Sequence, residues 1–310
     1  MTKRVFVTGA AGFIGSNTVR TLAESGWTVV GIGLGGQEEA KHLRELGLHA
    51  WFETSVTLDA LWRVESEAGS PDAIIHCAGS GSVAYSMTQP RQDFLGNVNT
   101  TLDILEFVRQ SSGRIAVVVP SSAAVYGVVH QLPISEDAPL HPISPYGTHK
   151  IVMEMLCKSY AKQWGIPVCV VRLFSVYGAG LRKQLLWDAC CKATAGTFSF
   201  FGTGAEIRDW LHVRDAARLL ADAINFSSPD CPVLNGGSGR GISIREILTT
   251  VGNLWNPKVT PTFSGEARSG DPAHYIADVS RLNARGYVPS VILDQGLAEY
   301  VEWFRAEVGA

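Results

Sequence analysis

No run of apolar residues in this 310-residue chain approaches the roughly 20 needed to cross a bilayer. Its opening, "MTKRVFVTGA", passes from two basic residues straight into a strand-like segment, without the apolar core and small-residue cleavage site of a signal peptide. No membrane association and a cytoplasmic location are therefore expected. Cysteine is sparse: Cys77, Cys157, Cys169, Cys190, Cys191 and Cys231 form no C-x-x-C pair, and most lie in apolar segments. That pattern argues for reduced core thiols and against a disulfide framework or a metal site. Positive charge is not in excess, with 26 Lys and Arg against 29 Asp and Glu, so nothing suggests a nucleic-acid partner. Internal repeats and low-complexity tracts are absent as well.

What is present is a core. Hydrophobic residues make up 46% of the chain, and in the first half short β-branched runs alternate with amphipathic stretches. Strands are predicted over residues 4–8, 28–32, 49–52, 73–77, 115–119 and 168–173, and the clearest helices over 97–109 and 146–164. Alternating strand and helix predict an α/β fold, a Rossmann-like doubly wound parallel sheet. Beyond Arg172 the regularity gives way to Gly- and Pro-rich punctuation in "GTGAEIRD", "NGGSGRG" and "GEARSGDPAHY". The expected division is a dinucleotide-binding domain over 1–173 and a smaller substrate-binding lobe over 174–310, some of whose segments return to the sheet.

The segment "TGAAGFIG" sets Gly9, Gly12 and Gly15 at G-x-x-G-x-x-G spacing, directly after a strand and opening a helix. Glycines there permit a tight turn and close approach of the backbone to a pyrophosphate, and the helix N-terminus offers N–H groups to the anion. NAD is the expected cofactor. In such sites the next strand ends in an Asp or Glu that grips the adenosine ribose. Here "WTVVGIGLGG" places Gly33 at that point, 18 residues after Gly15. Without a carboxylate a 2′-phosphate meets no repulsion, so NADP is admissible; the nearest cations to hold it are Lys41 and Arg44 in "QEEAKHLREL".

Further along, "SPYGTHK" puts Tyr146 and Lys150 four residues apart on one side of a helix, and "VVPSSAAVYG" ends a strand in Ser121 and Ser122. Together with "VTGAAGFIGSN", "IIHCAG", "NVNTTLDIL", "VRLFSVYG", "GTGAEIRDWLHVRDAA" and "SGDPAHYIAD", in this order, the chain resembles the extended short-chain dehydrogenase/reductases, in particular nucleotide-sugar epimerases, dehydratases and 4-keto reductases. The resemblance implies Ser122, Tyr146 and Lys150 as catalytic residues. It implies cofactor contacts from Gly9, Gly12, Phe13, Ile14, Gly15, Gly33, Ser55, Ala78, Gly79 and Asn97, with Tyr146 and Lys150. For a nucleotide-sugar substrate it implies Ser122, Ser175, Arg182, Arg208, Arg268 and Tyr275, and it implies no metal. The chain departs from the family pattern at Gly33, at Ser55 where an Asp near the adenine is usual, at Gly81 where some 4-epimerases carry Lys, and at Ser175 where Asn is usual.

A tyrosine with a reference pKa near 10 serves as a base at neutral pH only if its phenolate is favoured. The Lys150 ammonium and an oxidised nicotinamide are expected to do this, letting Tyr146 exchange a proton with a sugar hydroxyl while Ser122 hydrogen-bonds the same oxygen. Family dehydratases carry an acid beside the catalytic Ser or Thr; here Ala123 and Ala124 stand there and cannot move a proton. The expected function is an NDP-hexose 4-epimerase acting through a transient 4-keto sugar. The alternative is an NADPH-dependent NDP-4-keto-6-deoxyhexose 4-reductase; a dehydratase and a non-catalytic cofactor sensor are less favoured. Tyr275 is expected to fill the space of an N-acetyl group at C2, favouring a sugar with a plain C2 hydroxyl. His130, His141, His149 and His274 are expected to be loop or surface residues. A homodimer is expected, with helices 97–109 and 146–164 pairing against their mates.

Overall fold

The computed structural model describes residues 2–266 and 274–309. Six strands build the first half: β1 (Arg4–Thr8), β2 (Thr28–Gly33), β3 (Ala50–Glu53), β4 (Ala73–His76), β5 (Ala116–Ser122) and β6 (Val168–Leu173). With the later strand Val233–Gly236 they form one seven-stranded sheet, in the order Val233–Gly236, β6, β5, β4, β1, β2, β3. Every pairing from β6 across to β3 is parallel. Their near-continuous apolar runs follow from burial on both faces, which helices cover. Because β1 lies between β2 and β4, the strand order reverses there, and a crevice opens at the carboxyl ends of the strands.

The crossovers are α1 (Phe13–Glu24), α2 (Gln37–Glu45) and α3 (Leu58–Ala68). After β4 come the short helices α4 (Val83–Thr88) and α5 (Pro90–Phe94), a π-helical turn Leu95–Asn99, and α6 (Thr100–Gln110). After β5 a single 3₁₀ turn, Ala123–Val125, precedes α7 (Pro145–Trp164). The helix predicted from residue 97 thus begins inside the π-helical turn. Strand β5 runs three residues past its predicted end, because Ser122 still pairs with Leu173 of β6. The core joins Phe6, Ile74, Val117 and Val170 of the strands to Ile104 and Phe107 of α6 and to Met153 and Cys157 of α7.

The chain divides into two compact units, one of Met1–Gly127, Ala138–Leu173 and Ala216–Leu234, the other of Val128–Asp137, Phe174–Asp215 and Asn235–Ala310. The second contains a three-stranded sheet, Gly241–Ser243, Ile207–His212 and Ser175–Tyr177, and a pair of short strands, Ser199–Phe200 and Thr262–Phe263. Its helices Gln184–Thr194, Ile244–Trp255 and Leu293–Val308 meet through Trp187, Trp255, Trp303 and Phe304. All six cysteines are free thiols and only Cys191 is exposed. Among the described residues no helix is long and apolar enough to cross a membrane, and no cluster of His, Cys, Asp and Glu is arranged to hold a metal.

Candidate active site

The loop after β1 folds tightly upon itself. Gly9 adopts φ +64°, and a Cβ there would lie 2.6 Å from the backbone of Cys77 and Ala78; a Cβ at Gly15 would lie 2.1 Å from the Gly9 carbonyl oxygen. Only glycine fits either position. Gly12 caps α1 with no side-chain acceptor, so the first-turn N–H groups, those of Phe13 and Ile14 among them, face outward without a side-chain cap. Ala78 is tied to β1 by its N–H, which donates to Thr8 Oγ1 at 3.3 Å. Next along, Gly79 has φ +123°, and the space of its missing side chain is bordered at 2.6 Å by Asn97 Oδ1. That oxygen is buried with no hydrogen-bond partner, while Asn97 Nδ2 donates to the Asp93 carbonyl at 3.0 Å. A bare-backbone cradle, an uncapped helix start and a buried acceptor awaiting a donor fit a dinucleotide, whose diphosphate and ribose hydroxyls supply the matching groups.

The end of β2 is crowded where the ribose acid would stand. A side chain at Gly33 would press on Cη2 of Trp51 at 3.3 Å, and one at Gly31 on Cε3 of the same indole at 3.0 Å. Trp51 of β3 pairs in register with Gly31 and lays its ring over both glycines. Ser55, just past β3, is exposed.

Catalytic candidates come together at the end of β5. The Ser144 hydroxyl caps α7 by accepting the Gly147 N–H at 3.2 Å, and Pro145 occupies the first helical turn. Gly147 lets the helix seat directly on the loop after β5, since a Cβ there would lie 2.5 Å from the Ala124 carbonyl oxygen. This close approach brings Tyr146 beside Ser122, near enough for the serine hydroxyl to favour the phenolate. Tyr146 is 8% exposed and Lys150 6%. Lys150 Nζ donates to the Pro120 carbonyl at 3.2 Å and stands 5.7 Å from the centroid of the Tyr146 ring. Burial pushes the phenol up to about 12, against the lowering effect of the neighbouring Ser122 hydroxyl, and the Asp93 charge adds to the rise. In the protein alone, then, burial outweighs the lowering expected from Lys150. Burial also brings the Lys150 ammonium down to about 8, against the opposing charges of Asp93 and Glu154.

Two buried groupings behind this trio carry no mark in the expected site. Glu154, one turn beyond Lys150, accepts from Arg172 Nε at 3.0 Å and Nη2 at 2.7 Å, and from Ser121 Oγ at 2.6 Å. Arg172 Nη1 donates to the Tyr126 hydroxyl at 3.0 Å. The pair bolts α7 to β5 and β6. Second, Asp93, fully buried on α5, meets His149 Nδ1 at 2.5 Å. His149 is therefore no loose surface residue. Its position between Tyr146 and Lys150 was the available signal for Asp93 and His149, and the four-residue step from Lys150 was the signal for Glu154.

The remaining substrate candidates lie in the second unit. Ser175 opens the strand Ser175–Tyr177 and is half-buried. Arg208 pairs in register with Ile242, and the Tyr275 N–H donates to the Ile207 carbonyl at 3.0 Å, so Arg208 and Tyr275 belong to one strand neighbourhood. Tyr275 is buried, its ring 6.2 Å from that of Phe174. Arg182 forms an ion pair with Glu307 at 2.6 Å instead of standing unengaged. Arg268 lies outside the described residues.

A doubly wound sheet with a glycine cradle at its switch point and a Ser–Tyr–Lys group beside the end of the fifth strand, its Tyr and Lys buried, defines an extended short-chain dehydrogenase/reductase. The chain belongs to the NAD dependent epimerase/dehydratase family, whose model matches residues 5–232. It is 32% identical over 309 residues to a UDP-glucose 4-epimerase of Azospirillum brasilense, covering 92% of this chain and 87% of that protein. Among solved structures it resembles the UDP-glucose 4-epimerase of Thermotoga maritima with UDP-glucose, at TM-score 0.89 and 28% identity over 98% of this chain and 99% of that one. A UDP-glucuronic acid 4-epimerase of Bacillus cereus, in complex with UDP-glucuronic acid and NAD, matches at TM-score 0.86 and 25% identity with the same coverage.

Proposed function

We propose that this protein is an NDP-hexose 4-epimerase that uses NAD and passes through a transient 4-keto sugar. The observation that carries this reading is the buried Tyr146 and Lys150 beside Ser122, whose neighbours in the chain are Ala123 and Ala124. It offers one proton-transfer group for one sugar oxygen and no second acid to expel a hydroxyl. NAD, held by the Gly9–Gly15 cradle, supplies reversible hydride transfer at C4. Tyr146 Oη takes the proton of the C4 hydroxyl and returns it to the same oxygen after the sugar has turned its other face. Ser122 holds that oxygen as it alternates between hydroxyl and carbonyl. The phenol, near 12 in the protein alone, needs cationic neighbours to ionise, and Lys150 is pinned beside it by Pro120 for that purpose.

Arg208 and Arg268 are the proposed diphosphate ligands, because a guanidinium binds phosphate oxygens in pairs. Tyr275 is the proposed wall at C2, so that a hexose with a plain C2 hydroxyl is preferred. This agrees with the glucose and glucuronic acid named for two of the similar proteins. Tyr146→Phe tests the mechanism. Turnover of a UDP-hexose should fall by about 10³-fold or more while sugar-nucleotide binding persists, since only the proton-transfer group is lost. Activity within a few-fold of wild type would refute it.

A further inference from the structure

We propose that Glu39 sets the choice between the two nicotinamide dinucleotides, excluding the 2′-phosphorylated form from a helix where related sites use the strand end. The inference rests on the reading that residues 9–15 hold such a dinucleotide. Strand β2 presents no charge to the adenosine ribose: Gly33 has no side chain, and the Trp51 indole occupies the adjoining space. The next residue, Leu34, is apolar and 73% exposed. The turn that follows is different. The point where a Gly35 Cβ would stand lies 3.1 Å from Glu39 Cβ, 3.2 Å from Glu39 Cγ and 3.4 Å from Ala11 Cβ. The stem of Glu39 and the glycine loop therefore flank one turn. Glu39 Oε2 accepts the Gly36 N–H at 2.9 Å, which pins the carboxylate over that turn.

Charge around the turn runs one way. Glu38 and Glu39 both lie in the first turn of α2, where they offset the positive end of the helix dipole that would otherwise attract a phosphate. The cations that the sequence suggested, Lys41 and Arg44, are exposed two and five residues further on, about 3 Å and 7.5 Å along the helix axis from Glu39. A ribose hydroxyl can donate to the Glu39 carboxylate. A 2′-phosphate can only accept, and its negative charge would face the Glu39 carboxylate.

Isothermal titration of wild type, Glu39→Gln and Glu39→Lys with NAD⁺ and with NADP⁺ tests this. Gln also serves at this position of a capping box, so the first variant keeps the helix start while losing the charge. Wild type should bind NAD⁺ about tenfold or more tightly over NADP⁺. Glu39→Gln should narrow that ratio about fivefold, chiefly by tightening NADP⁺, as expected for one like-charge contact near a protein surface. Glu39→Lys should carry the ratio further toward NADP⁺. A wild-type preference for NAD⁺ that neither variant changes would overturn the role of Glu39 and leave the NAD reading intact. A wild-type preference for NADP⁺, or binding of neither, would overturn both.

Discussion

His76 shows how a single side chain can be a fixture of the fold while standing beside the chemistry. It ends β4, fully buried, with Nδ1 2.7 Å from Thr8 Oγ1 and Nε2 3.1 Å from Thr100 Oγ1. Burial, with help from the Lys150 charge, pulls its pKa down to about 3, so it is neutral in the folded protein at any physiological pH. Unfolding restores the ordinary value of 6.5. Between pH 6.5 and about 3 the unfolded chain binds a proton that the folded chain refuses, so stability falls as the pH falls through that window. The expected slope is about 1.4 kcal/mol per pH unit from this residue. His212, lowered to about 4 by burial and Arg214, adds its own share. His76→Gln should flatten the dependence of unfolding free energy on pH by up to one proton below pH 6, measured by urea titration at several pH values. An unchanged slope would mean that His76 titrates normally in the fold.

At the scale of elements, the critical contact is between α7 and the loop after β5. Gly147→Ala would set a methyl group 2.5 Å from the Ala124 carbonyl oxygen and 2.9 Å from Pro142 Cβ. The helix would have to lift, and Tyr146 with it. The expected result is about 1–3 kcal/mol of lost stability from overpacking. A fall in kcat/KM of roughly 100-fold should accompany it, because sub-ångström misplacement of an acid–base group is costly. Unchanged melting and turnover together would show that the helix does not position the tyrosine. Much of this architecture was legible in the sequence. Strands buried on both faces announce themselves as apolar runs, and the glycine loop and Tyr146–Lys150 pair declare themselves by spacing. Contacts between distant segments did not. Asp93 and His149 are 56 positions apart. The crowding of Gly33 by Trp51 became visible only when β3 lay beside β2.

At the scale of the whole molecule, α6 and α7 cover one face of the sheet and leave Met155 64% and Trp164 51% exposed. A homodimer joined through these two helices, four in all, would bury them. Equilibrium sedimentation at micromolar protein should give twice the chain mass, and Met155→Glu should reduce it to the monomer; a monomeric wild type would exclude this assembly. The buried Glu154–Arg172 pair has a different kind of consequence. Each member is only 2% exposed, so changing one alone strands an uncompensated charge in the interior, at roughly 3–5 kcal/mol. An apolar couple of similar volume would be tolerated there, but every single-substitution path to it passes through a protein that folds poorly. The pair is thus held by the route as much as by its merit: a lineage that has acquired it keeps it, because the way out requires two changes at once.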